Sequence, residues 1–536
     1  MVMEEQTLAE LDAAQLRELT QRLLGELRHQ AALLDKLKYE NALLKRMKFA
    51  AQSERFDPQQ KSLLDEELDA DLAAVVQEIE HLSATPVAVT EKQQPKRPPL
   101  PANLPRPEIR HEPASTTCPC GCQMKRIGVD VAEKLDYVPG VFTVERHIRG
   151  KWACAQCETI TQAPVAAHVI DKGIPTTGLL AQVLVAKYAD HLPLYRQEGI
   201  FGRAGLAIPR STLAQWVGIC GVRLQPLVDA LKAELLAQPV LHADETPVAM
   251  LKPGHGKTHR AYLWAYAPGA FESMRAVVYN FCESRAGEHA RSFLGDWRGS
   301  LVCDDYAGYK ASFNQGVTEI GCLAHARRKF FDLHAANKSQ IAEHAIKQLA
   351  QVYEIEQQVK DMPEAQRLEI RQQRSRPIMD ALHEWMLRQR QQVAGNSATA
   401  KVLDYSLKRW GALTRFIDDG QLPVDNNWIE NQIRPIAVGR GNWLFAGSLR
   451  AGQRAAAVMS LIQSARLNGH DPYAYLKDVL TRLPTHRASR IEELLAACIA
   501  LEQAGIRGIA DLLARSRRHR DPPLLLTPVR AQGPTR

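Results

Sequence analysis

No apolar stretch in this chain reaches the ~18 uncharged residues that a membrane-spanning helix needs. The segment Met1–Gln6 shows no secretory pattern and runs into an amphipathic helical segment. These absences exclude a helical membrane protein and make the cytoplasm the expected location. A dominant charge is also missing. The 68 basic and 60 acidic side chains leave a net +8, too mild to establish nucleic-acid binding by itself. Cysteine is sparse except in one place. Cys118, Cys120, Cys122, Cys154 and Cys157 make up half of the ten cysteines, and in a cytosolic protein such clustering signals metal rather than disulfides. The length, 536 residues, allows about three or four domains.

What the chain does have is three acidic residues far apart in sequence. Asp244 closes Val-Leu-His-Ala-Asp, Asp304 follows Ser-Leu-Val-Cys, and Glu430 lies in Asn-Asn-Trp-Ile-Glu-Asn-Gln. The first two follow short apolar runs that read as buried strands. The third sits on a helical stretch. Carboxylates at the ends of neighbouring strands and on a packed helix can share two divalent metals about 3.5–4 Å apart. Such a pair activates a water or a 3′-hydroxyl and steadies the leaving oxygen of a phosphodiester.

The element order agrees with that chemistry. Residues 238–244 predict a first strand, 252–256 a turn, and 260–266 and 275–281 two further strands. Residues 284–297 predict a helix capped by Ser284. Residues 300–303 and 317–321 predict strands four and five. This β-β-β-α-β-α-β order, followed by a helix with Glu430, is that of an RNase H-like core. On the Glu430 helix, Asp425 suits an N-cap and Pro435 predicts a break or kink. Asn427, Glu430, Asn431 and Arg434 fall on one helical face, which suits a metal and phosphate site or a plain solvated surface. Basic clusters at Arg327, Arg328 and Lys329, and at the spaced Arg434, Arg440, Arg450 and Arg454, each read as a solvated face, and those flanking the carboxylates, Arg327, Arg328 and Arg434, as candidates for phosphate contacts. A further cluster is Lys45-Arg46-Met47-Lys48.

Several motifs then converge on one family. Ala243-Asp244-Glu245-Thr246, Asp304-Asp305-Tyr306-Ala307-Gly308-Tyr309, Cys322-Leu323-Ala324-His325-Ala326-Arg327-Arg328-Lys329-Phe330 and Asn427-Trp428-Ile429-Glu430 resemble those of the insertion sequence 66 family of bacterial transposases. So do Leu444-Phe445-Ala446-Gly447-Ser448 and Leu467-Asn468-Gly469-His470-Asp471-Pro472-Tyr473. The resemblance spans roughly residues 10–490 in family order. It implies a DDE transposase, which cuts DNA at element ends and joins the freed 3′ ends to a target. Asp244, Asp304 and Glu430 would hold two magnesium (or manganese) ions. Asp305 stands where the family usually has glycine. The implied partners are double-stranded DNA, as terminal inverted repeats and target, and element-encoded accessory proteins. The location becomes bacterial and nucleoid-associated. A DNA-binding protein without catalysis, or a metal-dependent nuclease that cuts without joining, are the alternatives.

The flanking regions read as separate modules. In residues 1–50, Leu23, Leu27, Leu34, Leu37 and Leu44 follow a 3-4 spacing interrupted at Gln30, with Asn41 at an a position. A lone Asn there specifies a parallel two-stranded partner, so self-association through this coiled coil is expected. An amphipathic helix packed within one chain is the alternative. The family's N-terminal segment is zipper-like. Residues 51–115 comprise a helical stretch and a proline-rich linker, extended and mobile over 85–115. Residues 116–165 predict a zinc ribbon, because zinc favours thiolates in closed tetrahedral sites. Five cysteines compete for four places. The family's first knuckle is Cys-Pro-x-Cys-Gly, whereas this chain has the compressed Cys118-Pro119-Cys120-Gly121-Cys122.

Residues 166–235 predict helices. Leu194–Phe201, a turn at 202–208 and a helix capped by Ser211 resemble a helix-turn-helix, which would present Ser211, Thr212 and Gln215 to a DNA major groove. Residues 236–321 and 420–465 form the expected catalytic core, and 322–419 a helical insertion, since a gap this long is no simple loop. Cys322 and His325 have metal-ligand spacing with only two ligands. They read either as a structural cysteine and a polar histidine or as an active-site auxiliary near the scissile phosphate. Residues 466–536 predict helix to about residue 515 and a basic, disordered tail. The expected whole is a multidomain α/β protein.

Overall fold

A computed structural model of the chain describes residues 13–51, 58–82, 100, 102, 104–138, 141–170, 173–252 and 258–496. The end of the predicted C-terminal helix and the basic tail lie outside the described residues.

Two helices open the described chain, α1 (Ala13–Ala51) and α2 (Pro58–Leu82). A first sheet follows: β1 (Glu108–His111), β2 (Lys125–Val138), β3 (Val141–Ala153) and β4 (Ile160–Gln162). The long strands β2 and β3 pair antiparallel, β1 runs parallel to β3, and β4 pairs with the end of β3. Part of the expected mobile linker is therefore built into a sheet. The Arg106 guanidinium fastens this stretch by donating to the carbonyls of Leu100 and Leu104 and pairing with Glu133 at 3.1 Å.

Three helices come next, α3 (Thr177–Tyr188), α4 (Leu194–Arg203) and α5 (Arg210–Leu236). The side chain of Thr176 caps α3 by accepting from the Leu179 N–H. Ser211 is not the cap of α5. That position is Pro209, so Ser211 lies inside the first turn. Trp216 and Leu213 of the predicted recognition helix are buried, Ser211 and Thr212 are half-buried, and Gln215 is exposed.

The second sheet has five strands: β5 (Val240–Met250), β6 (His259–Pro268), β7 (Val278–Cys282), β8 (Ser300–Cys303) and β9 (Thr318–Gly321). Their spatial order is β7-β6-β5-β8-β9. β6 is antiparallel to both β5 and β7, and β5, β8 and β9 are mutually parallel. The helix α6 (Gly287–Leu294) connects β7 to β8. It is shorter than expected, because Gly295 turns to φ +54 and stops it. Its N-cap is Ala286, while Ser284 instead accepts from the Ala286 N–H. A short α7 (Lys310–Phe313) precedes β9.

Strand periodicity sorts the side chains of this sheet. Leu241, Ala243, Leu301 and Cys303 enter one apolar cluster, with α3, α5 and α15 (Leu449–Leu467). Val240, Val302 and Ile320 enter another, built with α8 (Leu323–Asn337), α9 (Gln340–Val359), α11 (Arg376–Gln392) and α12 (Ala398–Lys408). The short α10 (Glu364–Ile370) and α13 (Trp410–Thr414) complete these helices between β9 and α14 (Asn427–Trp443). Alternation places Asp244 on the face of Val240, and Asp304 continues the face of Val302. Both acids therefore leave the sheet on the same side. Pro435 lies inside α14 without ending it. α16 (Pro472–Arg482) ends the described α-helices, capped by Asp471.

The N-terminal helices do not stand apart. Leu37 and Leu44 of α1 are buried against Leu68 and Val75 of α2 in the same chain, while Leu23 and Leu27 are exposed. The lower half of the expected intermolecular seam is thus used internally. A heptad pattern cannot tell a helix of the same chain from one of a partner.

α2 is in turn fixed to the second-sheet region by buried charge. Lys187 of α3 lies 2.9 Å from Glu66 and 2.8 Å from Glu67. Arg454 of α15 lies 2.6 Å from Asp71 and 3.1 Å from Glu67. Arg450 reaches Glu78 and Glu40. Arg440 donates to the Pro247 carbonyl at 2.8 Å. These three arginines, expected on a solvated face, are committed inside the protein. Of that spaced set only Arg434 is exposed. Gly218 of α5 permits the close approach of α2, since a Cβ there would lie 2.1 Å from the Ala70 carbonyl oxygen.

Removing one partner from such a buried pair strands the other charge. Arg454→Ala should therefore cost roughly 3–5 kcal/mol, read by urea denaturation, and should accelerate amide exchange in α2. Neutralising one stranded acid, Arg454→Ala with Asp71→Asn, should recover part of the loss. An Arg454→Ala protein of unchanged stability would show that α2 is not held by these charges.

Candidate functional site

The three acidic residues come from three separate segments. Asp244 lies on the middle strand β5, Asp304 just beyond β8, and Glu430 in the first turn of α14. Parallel β5 and β8 flank the point where the strand order reverses direction. In open sheets the crevice beyond the strand ends at such a point is the usual ligand site.

The link between β5 and α14 is Asn426. It is fully buried at the N-cap of α14. Its side-chain amide donates to the Ala243 carbonyl at 2.9 Å, and its Oδ1 lies 2.8 Å from His242 Nδ1. Its own N–H donates to Cys322 Sγ at 3.2 Å, and its carbonyl accepts from the Glu430 N–H at 3.3 Å. Asp425 accepts from the Asn427 N–H just beside it. One asparagine therefore joins the strand of Asp244, the helix of Glu430 and the start of α8. Burial pushes His242 down to about 4, so it is neutral and acts as a hydrogen-bonding part of this link.

Among the described residues, Asp244, Asp304 and Glu430 do not form a group with ligand oxygens all within 4.8 Å of one another. Burial first, then Glu245, Asp304 and Glu430, push Asp244 up to about 8. No cationic side chain pairs with it among the described residues. Asp304 Oδ1 accepts from the Tyr306 N–H at 2.9 Å. Asp305 is exposed and lies 3.4 Å from Arg409, which also pairs with Glu319. Asp304 rather than Asp305 is thus the second acid that Asp244 senses.

Glu245 stands out only in the folded chain. Its side chain is buried and paired with Arg285, and Tyr309 donates to it at 2.9 Å. Arg285 lies over the Tyr306 ring at 3.9 Å. This network braces the β5 and β8 ends beside Asp244 and Asp304. The only local signals were an acid adjoining Asp244 and the tyrosines after Asp304. Asn426 and His242 gave weaker ones, an amide beside the expected cap and an imidazole in an apolar run.

Around Glu430, His325 Nδ1 lies 3.8 Å from Oε1, and Arg328 lies 3.8 Å from Oε2. Arg327 and Arg434 are exposed. Cys322 is buried, and its burial pushes the thiol up to about 12. Ser211, Thr212 and Gln215 lie on α5 and belong to no part of this cluster.

The second cluster is all sulfur. Cys118 and Cys120 precede β2, and Cys154 and Cys157 follow β3. Their four Sγ atoms lie within 4.8 Å of one another. The Cys120–Cys154 and Cys120–Cys157 separations are 3.7 and 3.8 Å, while Cys118 and Cys157 lie closer, at 2.9 Å. A tetrahedron with metal–sulfur bonds of ~2.3 Å has edges of roughly 3.8 Å, so the four thiols fit a structural zinc. Gly121, at φ +84, lets the compressed first knuckle turn. Cys122 is carried aside, and its thiol donates to the Gln156 side chain at 2.8 Å.

Cys122→Ser should therefore keep about one zinc per chain, whereas Cys120→Ser and Cys157→Ser should lose it. Elemental analysis of the purified protein reads this directly. Zinc lost from Cys122→Ser and kept in Cys120→Ser would reverse the choice of ligands.

Comparisons with known proteins assign the chain's segments to family models. Residues 172–454 match the model of the Transposase IS66 family, and 460–496 match the IS66 C-terminal element. Residues 115–158 match the zinc-finger binding domain of transposase IS66, and 36–109 a model described as transposase C of IS166 homeodomain. Among relatives, the uncharacterized protein y4jD of Sinorhizobium fredii (strain NBRC 101917 / NGR234) is 39% identical over 72% of this chain and 78% of its own length. The uncharacterized protein y4qI of the same organism is 37% identical over 82% of this chain and 83% of its own length. No described helix is long and apolar enough to cross a membrane. With its acidic site on the family's central segment and its thiol cluster on the family's zinc finger, this chain belongs to the IS66 transposase family.

Proposed function

We propose that the chain is a DDE transposase with an RNase H-like catalytic core, which cleaves DNA at insertion-element ends and joins the freed 3′ ends to target DNA. The observation that carries this reading is that Asp244 and the residue after β8, Asp304, leave parallel strands on the same side of the sheet while Asn426 ties the helix of Glu430 to the Asp244 strand. The strand order β7-β6-β5-β8-β9, with the first acid on the middle strand, supports the RNase H-like assignment.

The donors suit a hard dication. Asp244 has carboxylates around it and no cationic partner among the described residues, and Glu430 Oε1 is buried without a hydrogen-bond partner. Asp244, Asp304 and Glu430 would hold magnesium or manganese, which supplies positive charge to activate a nucleophile and steady a leaving oxygen. The chain's own residues set the frame. Asn426 keeps Glu430 on the Asp244 strand, Glu245 and Arg285 brace the strand ends, and Arg327, Arg328 and Arg434 offer phosphate contacts. Water attacks the phosphodiester at an element end and leaves a 3′-hydroxyl, which then attacks target DNA. Gln215, with Ser211 and Thr212, is the proposed contribution of α5 to DNA reading. Self-association falls to the exposed Leu23 and Leu27 side of α1. Element-encoded accessory proteins and a cytoplasmic, nucleoid-associated location belong to the same proposal.

Asp244→Asn, Asp304→Asn and Glu430→Gln should each reduce end cleavage by at least ~100-fold while leaving DNA binding largely intact. Asp305→Gly should be much milder. Wild-type cleavage by any of the first three variants would remove that residue from the site. Cleavage without joining by the native protein would identify a nuclease.

The raised Asp244 also fixes a pH dependence. Below about pH 8 this carboxyl is mainly protonated, and a dication must displace that proton. Magnesium affinity should therefore rise from about pH 6 to 8 and level off above. Calorimetry in buffers of different ionisation enthalpy should record proton release on binding, lost in Asp244→Asn. A pH-independent affinity across that range would show that Asp244 is already ionised before the ion binds.

A further inference from the structure

Cys322, His325 and Glu430 form a second group of potential ligands. One ligand atom from each lies within 4.8 Å of the other two. Cys322 is the N-cap of α8, His325 lies in its first turn, and Glu430 faces them from α14. His325 Nδ1 and Glu430 Oε1 are both buried, and neither has a hydrogen-bond partner. Their separation of 3.8 Å is too wide for a hydrogen bond. It is close to the roughly 3.4 Å between two ligands on one tetrahedral zinc with bonds near 2.1 Å. The Asn426 N–H donates to Cys322 Sγ at 3.2 Å and fixes where the sulfur sits.

We propose that Cys322, His325 and Glu430 bind a borderline transition ion of the zinc class, at a site that overlaps the acidic site at Glu430. A thiolate, an imidazole and one carboxylate select zinc over magnesium, which prefers oxygen alone. On binding, a zinc–sulfur bond replaces the S–H bond and the proton passes to solvent. Three protein ligands leave one position open, as in zinc sites that exchange a ligand. An ion held there occupies Glu430 Oε1 and withdraws it from Asp244 and Asp304. Zinc at this site therefore opposes the hard-cation activity, a consequence that rests on the proposed role of Glu430.

The test uses the full chain with its thiol zinc finger loaded. Cobalt(II) is titrated in and the thiolate-to-cobalt charge-transfer band is recorded, with retained metal counted by elemental analysis. Wild type should bind one ion more than Cys322→Ser or His325→Gln. The partly exposed His325 gives a variant that spares the core if Cys322→Ser does not fold. In parallel, zinc should inhibit magnesium-dependent end cleavage, and His325→Gln should raise the inhibiting concentration at least ~10-fold. Equal ion counts in wild type and His325→Gln would overturn the site, whatever the activity. An extra ion in a protein that never cleaves DNA would keep the site and remove the transposase reading instead.

Discussion

The candidate site depends on Asn426. Its side chain holds the Ala243 carbonyl and the His242 imidazole, just ahead of Asp244 on β5, and its backbone begins the helix that presents Glu430. Both ends of the amide are satisfied in a fully buried setting, so the link is directional as well as stable. Ile429, Ile433 and Ile436 pack the helix into the same core as Leu241 and Ala243, and the asparagine adds a directional tie that opposes the repulsion between the two carboxylates. The helices between β9 and α14 serve the same end. They pack on Val302 and Ile320 and return the chain to the sheet with α14 in place.

Charge does a different job at the other side of the molecule. Glu66, Glu67 and Asp71 on α2 meet Lys187 and Arg454 away from water. Ion pairs like these contribute little net stability relative to apolar packing, but they allow few alternative arrangements. They fix one docking position for α2, and α1 follows through Leu37 and Leu44. The N-terminal helices are thereby coupled to α15, which packs on the sheet bearing Asp244. Any partner recruited by the exposed end of α1 is held at a defined position relative to the acidic site.

Much of the second sheet was legible because its signals are local. Short apolar runs ended by an acid specify a strand and a site residue at once, as at Asp244 and Asp304. The thiols were legible by type and not by choice, since the turn at Gly121 decides that Cys122 points away. Arg440, Arg450 and Arg454 read as part of a solvated basic face and are instead held within the protein. Their partners are fixed by tertiary packing, and nothing near an arginine in sequence distinguishes a buried acid from water. The heptad leucines failed for the same reason at Leu37 and Leu44. Pro435 was expected to break or kink α14, and the helix continues through it to Trp443, where packing of Ile429, Ile433 and Ile436 outweighs one lost hydrogen bond.

The central claim is that Asp244, Asp304 and Glu430 together hold the dications of one site. Iron(II) in place of magnesium, with ascorbate and peroxide, generates hydroxyl radicals at the bound ion and cuts the nearby backbone. The account predicts cuts around 244, 304 and 430 together, all suppressed by excess magnesium and all lost in Asp244→Asn. Cuts at only one or two of these segments, or cuts that survive magnesium, would contradict it.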